Sequence, residues 1–345
     1  MNVIGSVPAA SGGAPGWAGE YQAILDAYRQ AGGDPTVLRS LRAAAVVASG
    51  HTVLAANEAP GVRLQATGTH HSIHARVEVA PATQPPAPVH LCFGMLPATG
   101  RQHIDIELDV GDDARVRFLA HCSFPNARQV EHTMQARIHV GAGASMIYDE
   151  GHFHGPFGGV VVRPTANVRI DQGGRFTSSF RVVHGRVGQL ELRFDVAVAD
   201  AGMAELVTSA YGTDDDRLRV DERLHLTGRG ARSLTRTRIA VRDDAISEVV
   251  TRTEGDAADA RGHMDCTEIV RDRAVATNSP VVVVRHADAQ VTHEAAIGRI
   301  DHRQLETLMA RGLDEQDAVD VIIRGMLGDH GAIRPSGDPR SDTKQ

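Results

Sequence analysis

From about His51 onward the chain alternates polar with β-branched residues in short runs, and each run is broken by a small-residue corner. The corners are DVGDDARV at Ala114, HVGAGASM at Ala144, RIDQGGRF at Gly174, DAGMAEL at Ala204, TGRGARSL at Ala231, GDAADA near Ala258 and RHADAQV at Ala289. They recur about every thirty residues, with no helical periodicity between them. A unit of that length, made of strands and tight corners, can bury its apolar face only against copies of itself. This favours the coils of a β-solenoid over a sandwich. Propeller blades would need about 40 to 50 residues each and tend to carry more aromatic residues; this chain has 4%.

The ends read differently. Residues 1–13 are rich in Gly, Ala, Ser and Pro, and the segment 329–345 is polar, so both are expected to be mobile tails. Between Trp17 and Arg29, the residues Ala18, Tyr21, Ile24, Leu25 and Tyr28 fall at helical spacing, and a second short helix is expected near Thr36 to Arg42. After Arg299 helical spacing returns. Asp301, with Gln304 three residues on, is placed to cap one helix, Gly312 to end it, and Asp314 with Asp317 to begin another. The expected division is a tail and helical lead-in over 1–50, a β core over 51–298, two helices over 299–328 and a tail over 329–345. The apolar stripes of the two helices, Leu305, Leu308 and Met309, then Val319, Ile322, Ile323 and Met326, would serve at the least to cover the open end of a solenoid.

A chain of 345 residues with 42% apolar content can bury a substantial core. Its formal net charge of -7 argues against the broad cationic surface that non-specific nucleic-acid binding requires. No apolar run approaches the ~20 residues of a membrane span, and the first residues show neither a basic nor an apolar signal region. The expectation is a cytoplasmic protein without nucleic-acid or membrane partners. Cys92, Cys122 and Cys266 are too few and too widely spaced for a disulfide framework, so reduced thiols are expected. Lys344 is the one lysine, which rules out a Walker A loop or a Schiff-base lysine within this sequence. Any nucleotide chemistry has to come from a partner.

Two constellations could bind metal. Cys266 precedes His293 and Glu294 by twenty-seven and twenty-eight residues, close to one coil, so the thiol and one of the later side chains would sit on neighbouring rungs. Thiolate with imidazole or carboxylate suits iron or zinc, and incomplete ligation suits a site that releases what it holds. Cys92, Cys122 and His152 are thirty residues apart at each step and would stack in one column if the period held. Around His152, the residues Tyr148, Glu150, His152 and His154 share one face of a regular strand. Against this, no glutamate follows the His-x-His pair as a cupin-type site would require, and Gly151 and Gly155 could break the alternation. The alternative is a solvent-facing polar column beside two buried cysteines. The chain has eighteen histidines in all; His70, His71 and His74 are read as surface residues.

The stretch QVTHEAAIGRIDHRQLETLMARGLDEQDAVDVIIRGML, Gln290 to Leu327, resembles the carboxy-terminal end of the SufB/SufD family of iron-sulfur cluster assembly scaffolds. GHMDC ending at Cys266 is similar to the family's cysteine segment. FLAHCSFPNA, GHFHGPFGG and GRVG are similar to its short, single-scaffold branch. The resemblance spans roughly Val89 to Leu327 and is loose before that. It implies a right-handed parallel β-helix and terminal helices that dock an ABC-type ATPase of the SufC kind. It also implies a scaffold, not an enzyme, holding a transient iron-sulfur cluster and working with a sulfur donor and apoprotein acceptors. Cys266 and Glu294 match the SufB-side ligands, and His293 matches the histidine used on the SufD side. One chain carrying both sets implies a homodimer in place of a heterodimer, with two half-sites meeting near the last coils. The rivals are a β-helix carbohydrate lyase or hydrolase, which would need paired carboxylates in a cleft along the coils, and an interaction scaffold without metal.

Overall fold

The computed structural model describes residues 15–30, 34–36, 38 and 43–328. Most of the short helix expected near Thr36 to Arg42, and all of both expected tails, 1–13 and 329–345, lie outside the described residues. The first helix, α1, runs Pro15–Gln30. Two hairpins follow: β1 (Ala45–Ser49) with β2 (Thr52–Asn57), and β3 (Val62–Gly68) with β4 (Ile73–Val79), both antiparallel. The chain then winds through β5 (Val89–Gly94), β6 (Thr99–Val110), β7 (Arg115–Phe124), β8 (Gln129–Val140), β9 (Ser145–His154) and β10 (Val160–Ile170). It continues through β11 (Arg175–His184), β12 (Gln189–Val198), β13 (Met203–Gly212), β14 (Arg217–Leu226) and β15 (Arg232–Val241). The last strands are β16 (Ile246–Gly255), β17 (Arg261–Val270), β18 (Val275–Val284) and β19 (Gln290–Gly298), before α2 (His302–Met309) and α3 (Glu315–Leu327).

From β5 onward consecutive strands go to different sheets. Odd-numbered strands stack parallel in one sheet and even-numbered strands in a second, giving a parallel β-solenoid of about eight turns. The expected all-β core is therefore present, starting at Ala45, where β1 pairs in parallel with β5. Within the strands, side chains alternate between a buried inner face and a half-exposed outer one, as the period of two requires. The inward set forms one continuous core, from Val46 and Leu91 through Phe118, Ile138 and Phe194 to Leu224 and Ile239.

The corners explain the repeat. Asp113, Gly143, Gly173, Ala201, Gly230 and Asp259 occupy one corner of successive coils, all with φ between 54° and 68°. Gly and short polar residues tolerate this left-handed region best. Each corner N–H from Asp113 to Gly230 donates to a carbonyl of the next coil, as Asp113 does to Ala142 at 2.8 Å and Gly143 to Gln172 at 2.9 Å. Asp113, Gly143 and Gly173 are thirty residues apart, but Ala201 follows Gly173 after twenty-eight, and Gly230 and Asp259 follow at twenty-nine. Coils of twenty-nine residues, here and separately between β5 and β7, decide the register at the two candidate sites.

The two ends of the solenoid are finished differently. At the amino-terminal end the hairpins continue both sheets, and Ile24, Leu25 and Tyr28 of α1 pack on the outer face of β1 and β5 against Ala45, Val47 and Cys92. At the other end α3 does not cover the opening. Asp314 caps it, accepting from the Asp317 N–H at 2.8 Å, and Gly328 ends it at φ 68°. Val319, Ile323 and Leu327 pack on Ala240, with Tyr211, Val183 and Ile269 beside them. That receptor is the outer face of the odd-strand sheet, so the helices lie along the flank of the solenoid and not over its end, contrary to the covering role their stripes suggested. Asp301 caps α2 as expected, and α2 has no buried residue.

Candidate metal-binding sites

The first constellation sits at the open end. Cys266, on β17, points into the solenoid and is 1% exposed. The coil above it is twenty-nine residues long, so Cys266 pairs with Ala295, Asp265 with Glu294 and Met264 with His293. His293 therefore shares the inner face with Cys266, two residues along the neighbouring strand, while Glu294 lies on the outer face beside Asp265. The expectation that only one of the pair can face Cys266 from the same chain is met, and the one that does is His293. Glu294 stands where the Arg238 guanidinium binds Asp265, at 2.5 Å.

Around Cys266 the interior changes character. Thr208, Thr235, Thr237, Ser247, Thr251 and Thr253 are buried there in place of aliphatic residues. Thr251 Oγ1 is 3.9 Å from the sulfur. Two carboxyls are buried with them. Glu222 accepts hydrogen bonds from Thr208 at 2.6 Å and Thr237 at 3.1 Å; burial pushes it up to about 7 in spite of them. Glu268 accepts from Ser247 at 2.6 Å and Asn278 at 3.2 Å and is also raised by burial. Burial, and then the proximity of Glu222, raise the Cys266 thiol. It is a protonated, polar-lined thiol until something that favours thiolate binds it.

The second constellation lies deep in the first half of the solenoid. The thirty-residue column holds for Cys122 and His152, which pair in register. It fails for Cys92, which pairs with His121 because that coil is one residue shorter. A one-residue shift reverses the face: Cys92 points out under α1, and Cys122 points in. The alternation of β9 survives Gly151, so Tyr148, Glu150, His152 and His154 are all buried inside. The solvent-facing polar column is thus overturned. Cys122 Sγ, a Glu150 oxygen and a His152 ring nitrogen lie within 4.8 Å of one another. His132, on β8 of the opposite sheet, adds a nitrogen 3.7 Å from the sulfur. His154 Nε2 stands behind His152 at 3.4 Å. Burial raises the Cys122 thiol, with Glu150 adding to it, and lowers His132 well below its usual range and His154 to about 3.

His132, Gln102, Glu222 and Glu268 were not singled out from the sequence. Each occupies an inward position in an alternating strand: Glu222 falls in phase with Leu218, Val220, Leu224 and Leu226, and His132 with Val130, Met134 and Ala136. A polar residue in the apolar phase was the signal to follow. His70, His71 and His74 are exposed, as expected. All three cysteines are free.

Comparison with known proteins agrees with this architecture. Residues 97–326 match the family model described as SUF system FeS cluster assembly, SufBD core domain. An iron-sulfur cluster assembly SufBD family protein of Methanocaldococcus jannaschii is 33% identical over 310 residues, covering 90% of this chain and 98% of the relative. One from Pyrococcus horikoshii is 32% identical over 311 residues, covering 90% and 94%. A second protein of that name from the same organism aligns over 133 residues, 38% of this chain and 29% of its own length. With a matching core domain across most of the solenoid and relatives aligned nearly end to end, the chain belongs to the SufBD family.

Proposed function

We propose that the chain is the scaffold on which an iron-sulfur cluster is built and from which it is passed on, in complex with an ABC-type ATPase. Family membership supports the role in cluster assembly. The observation that carries the finer reading is the last coil, which none of the described residues covers. The inner face of β18 and β19 leaves Val282, Val284, His293 and Ile297 exposed, one rung above Cys266. Cys266 supplies the soft thiolate that takes iron, and His293 is its partner on the same face. Glu294 is a hard, exchangeable ligand displayed on the outside of the same strand. One thiolate and one imidazole do not complete a cluster's ligand set. A second copy of the chain meeting the first across its last coil brings a second Cys266 and His293. The iron and sulfide are cargo here, supplied by a sulfur donor and taken by apoprotein acceptors.

The ATPase reading rests on α2 and α3. α3 uses its apolar side on the solenoid flank, but α2 buries no residue fully: Leu308 is half-buried and Met309 is 41% exposed. Both are placed to meet a partner. Anaerobic reconstitution with iron and sulfide tests the site. The unmodified protein is expected to develop a thiolate-to-iron charge-transfer band; Cys266→Ser loses it while keeping its β-sheet circular dichroism, and His293→Ala and Glu294→Ala hold the cluster less well. A Cys266→Ser protein that holds a cluster as well as the unmodified one does sinks this reading.

A further inference from the structure

The interior cluster between β7, β8 and β9 is far from the open end, and cluster assembly at Cys266 gives it no task. Its hydrogen bonding specifies something. His154 Nδ1 faces two carbonyl oxygens, of Arg186 at 3.1 Å and Val187 at 3.2 Å, so it carries the proton and donates. His154 Nε2 is then an acceptor, and the group facing it at 3.4 Å, His152 Nδ1, must donate. That leaves His152 Nε2 as a bare lone pair, directed at Glu150 Oε1 at 2.8 Å.

The same logic runs on the other side. The Gln102 amide donates to the carbonyls of Gly50 and Gly94, at 2.6 and 3.1 Å, so its oxygen is an acceptor. His132 Nδ1 lies 2.9 Å from that oxygen and must donate. His132 Nε2 is therefore a second bare lone pair, 3.7 Å from Cys122 Sγ, and the sulfur is 4.0 Å from Glu150 Oε1. Two imidazoles have their outer nitrogens fixed, that of His132 by an amide oxygen and that of His152 by the His154 ring; the inner nitrogen of His152 meets the Cys122 sulfur and a Glu150 oxygen within 4.8 Å, and that of His132 stands against the same sulfur from the opposite sheet, which is the orienting pattern of a metal centre.

From this juxtaposition we infer that Cys122, His132, Glu150 and His152 hold a resident divalent transition-metal ion of the zinc or iron(II) class, distinct from the cluster carried at Cys266. The charge balances. A thiolate and a carboxylate neutralise a dipositive ion, and the two neutral imidazoles complete four ligands of the mixed sulfur, nitrogen and oxygen kind that such ions take. Binding releases the thiol proton, and the proton shared by Glu150 and His152, to solvent. Burial then works in the site's favour. All four residues are nearly inaccessible, and Phe124 and Phe180 pack against the His152 ring. An ion placed there is enclosed, exchanges slowly and ties β8 of one sheet to β7 and β9 of the other. His154 and Gln102 are positioning residues.

The test uses the full chain with Cys266→Ser, which removes the cluster thiol and makes the outcome independent of the cluster-assembly reading. Elemental analysis after dialysis against EDTA is expected to find about one zinc or iron per chain, falling to near none when Cys122→Ser is added and staying when Cys92→Ser is added. Protein grown with cobalt gives a second readout that needs no loss-of-fold control. Cys266→Ser, Cys92→Ser protein is expected to show a cobalt(II) thiolate charge-transfer band, and Glu150→Gln in that background to keep the band but lose metal to EDTA faster. Less than about a tenth of an equivalent of any divalent metal in folded Cys266→Ser protein, or a content unchanged by Cys122→Ser, overturns the assignment.

Discussion

At the scale of single residues, the solenoid interior holds ionisable groups that an aliphatic column would have done without, and their cost is measurable. Glu222 is fully buried, with its carboxyl raised to about 7 against an ordinary 4.5; burial is the main cause, and Asp221 adds to it. Its hydrogen-bond partners Thr208 and Thr237 are neutral, and Cys266 is the titratable neighbour inside the coil. Below about pH 4.5 the group is protonated whether the chain is folded or not, and it costs nothing. As pH rises from there to about 7 the unfolded chain gives up the proton first, so stability falls across that window and levels off above it. The full difference is about 3 kcal/mol. Glu222→Gln is therefore expected to leave the urea midpoint almost unchanged at pH 4.5 and to raise it at pH 8. A midpoint gain independent of pH would mean that the carboxyl is ionised throughout. The same residues mark what could be read from sequence. Tyr148, Glu150, His152 and His154 were legible because four polar residues share one phase of one strand. The pairing of Cys122 with His152 was legible in their thirty-residue spacing, but the exclusion of Cys92 was not, because it turns on a coil of twenty-nine residues where the repeat suggests thirty. A period known to one residue does not fix the face.

At the scale of elements, the helix boundaries could be read and their docking could not. Asp301 and Asp314 each cap a helix as their spacing implied, since an N-cap is a local hydrogen bond. The receptor for α3 is Ala240 with Tyr211 and Ile269, outward-phase residues on β15, β13 and β17, and nothing in an apolar stripe says which surface will receive it. The two helices consequently carry opposite predictions. Val319 and Ile323 are buried, so Ile323→Ala should cost about 2 to 5 kcal/mol of stability, as a large-to-small change in a packed contact does. Met309 is exposed and contributes little to its own chain, so Met309→Glu should leave the thermal midpoint within a degree or two and weaken copurification with the ATPase. Removing everything after Gly298 should abolish the complex. If the ATPase still copurifies with the truncated chain, the helices are not its docking element.

At the scale of the whole molecule, the asymmetry between the ends has a consequence for assembly. The amino-terminal end is closed by antiparallel hairpins and flanked by α1, whereas β18 and β19 are the last members of their sheets and none of the described residues follows them in register. An unpaired edge is a template for another strand, and folded proteins cover or blunt such edges. Here the inward positions above Cys266 carry Val282, Val284 and Ile297, the last two 47% exposed, with no charged residue among the three to discourage pairing. An open apolar rung with two free edges is best satisfied by its own copy related by a two-fold axis, which closes the assembly and stops it growing into a fibre. Val284→Arg combined with Ile297→Arg places a charge on that rung in each sheet and leaves the core coils below untouched. The expected result by analytical ultracentrifugation is a dimer for the unmodified chain and a monomer for the variant, with the β-sheet spectrum retained. Cluster retention should fall with dimerisation although Cys266 and His293 are both present, because each copy then offers only half of a ligand set. A monomeric variant that holds its cluster as tightly as the parent would mean that one chain suffices, and the second Cys266 would have no part in the site.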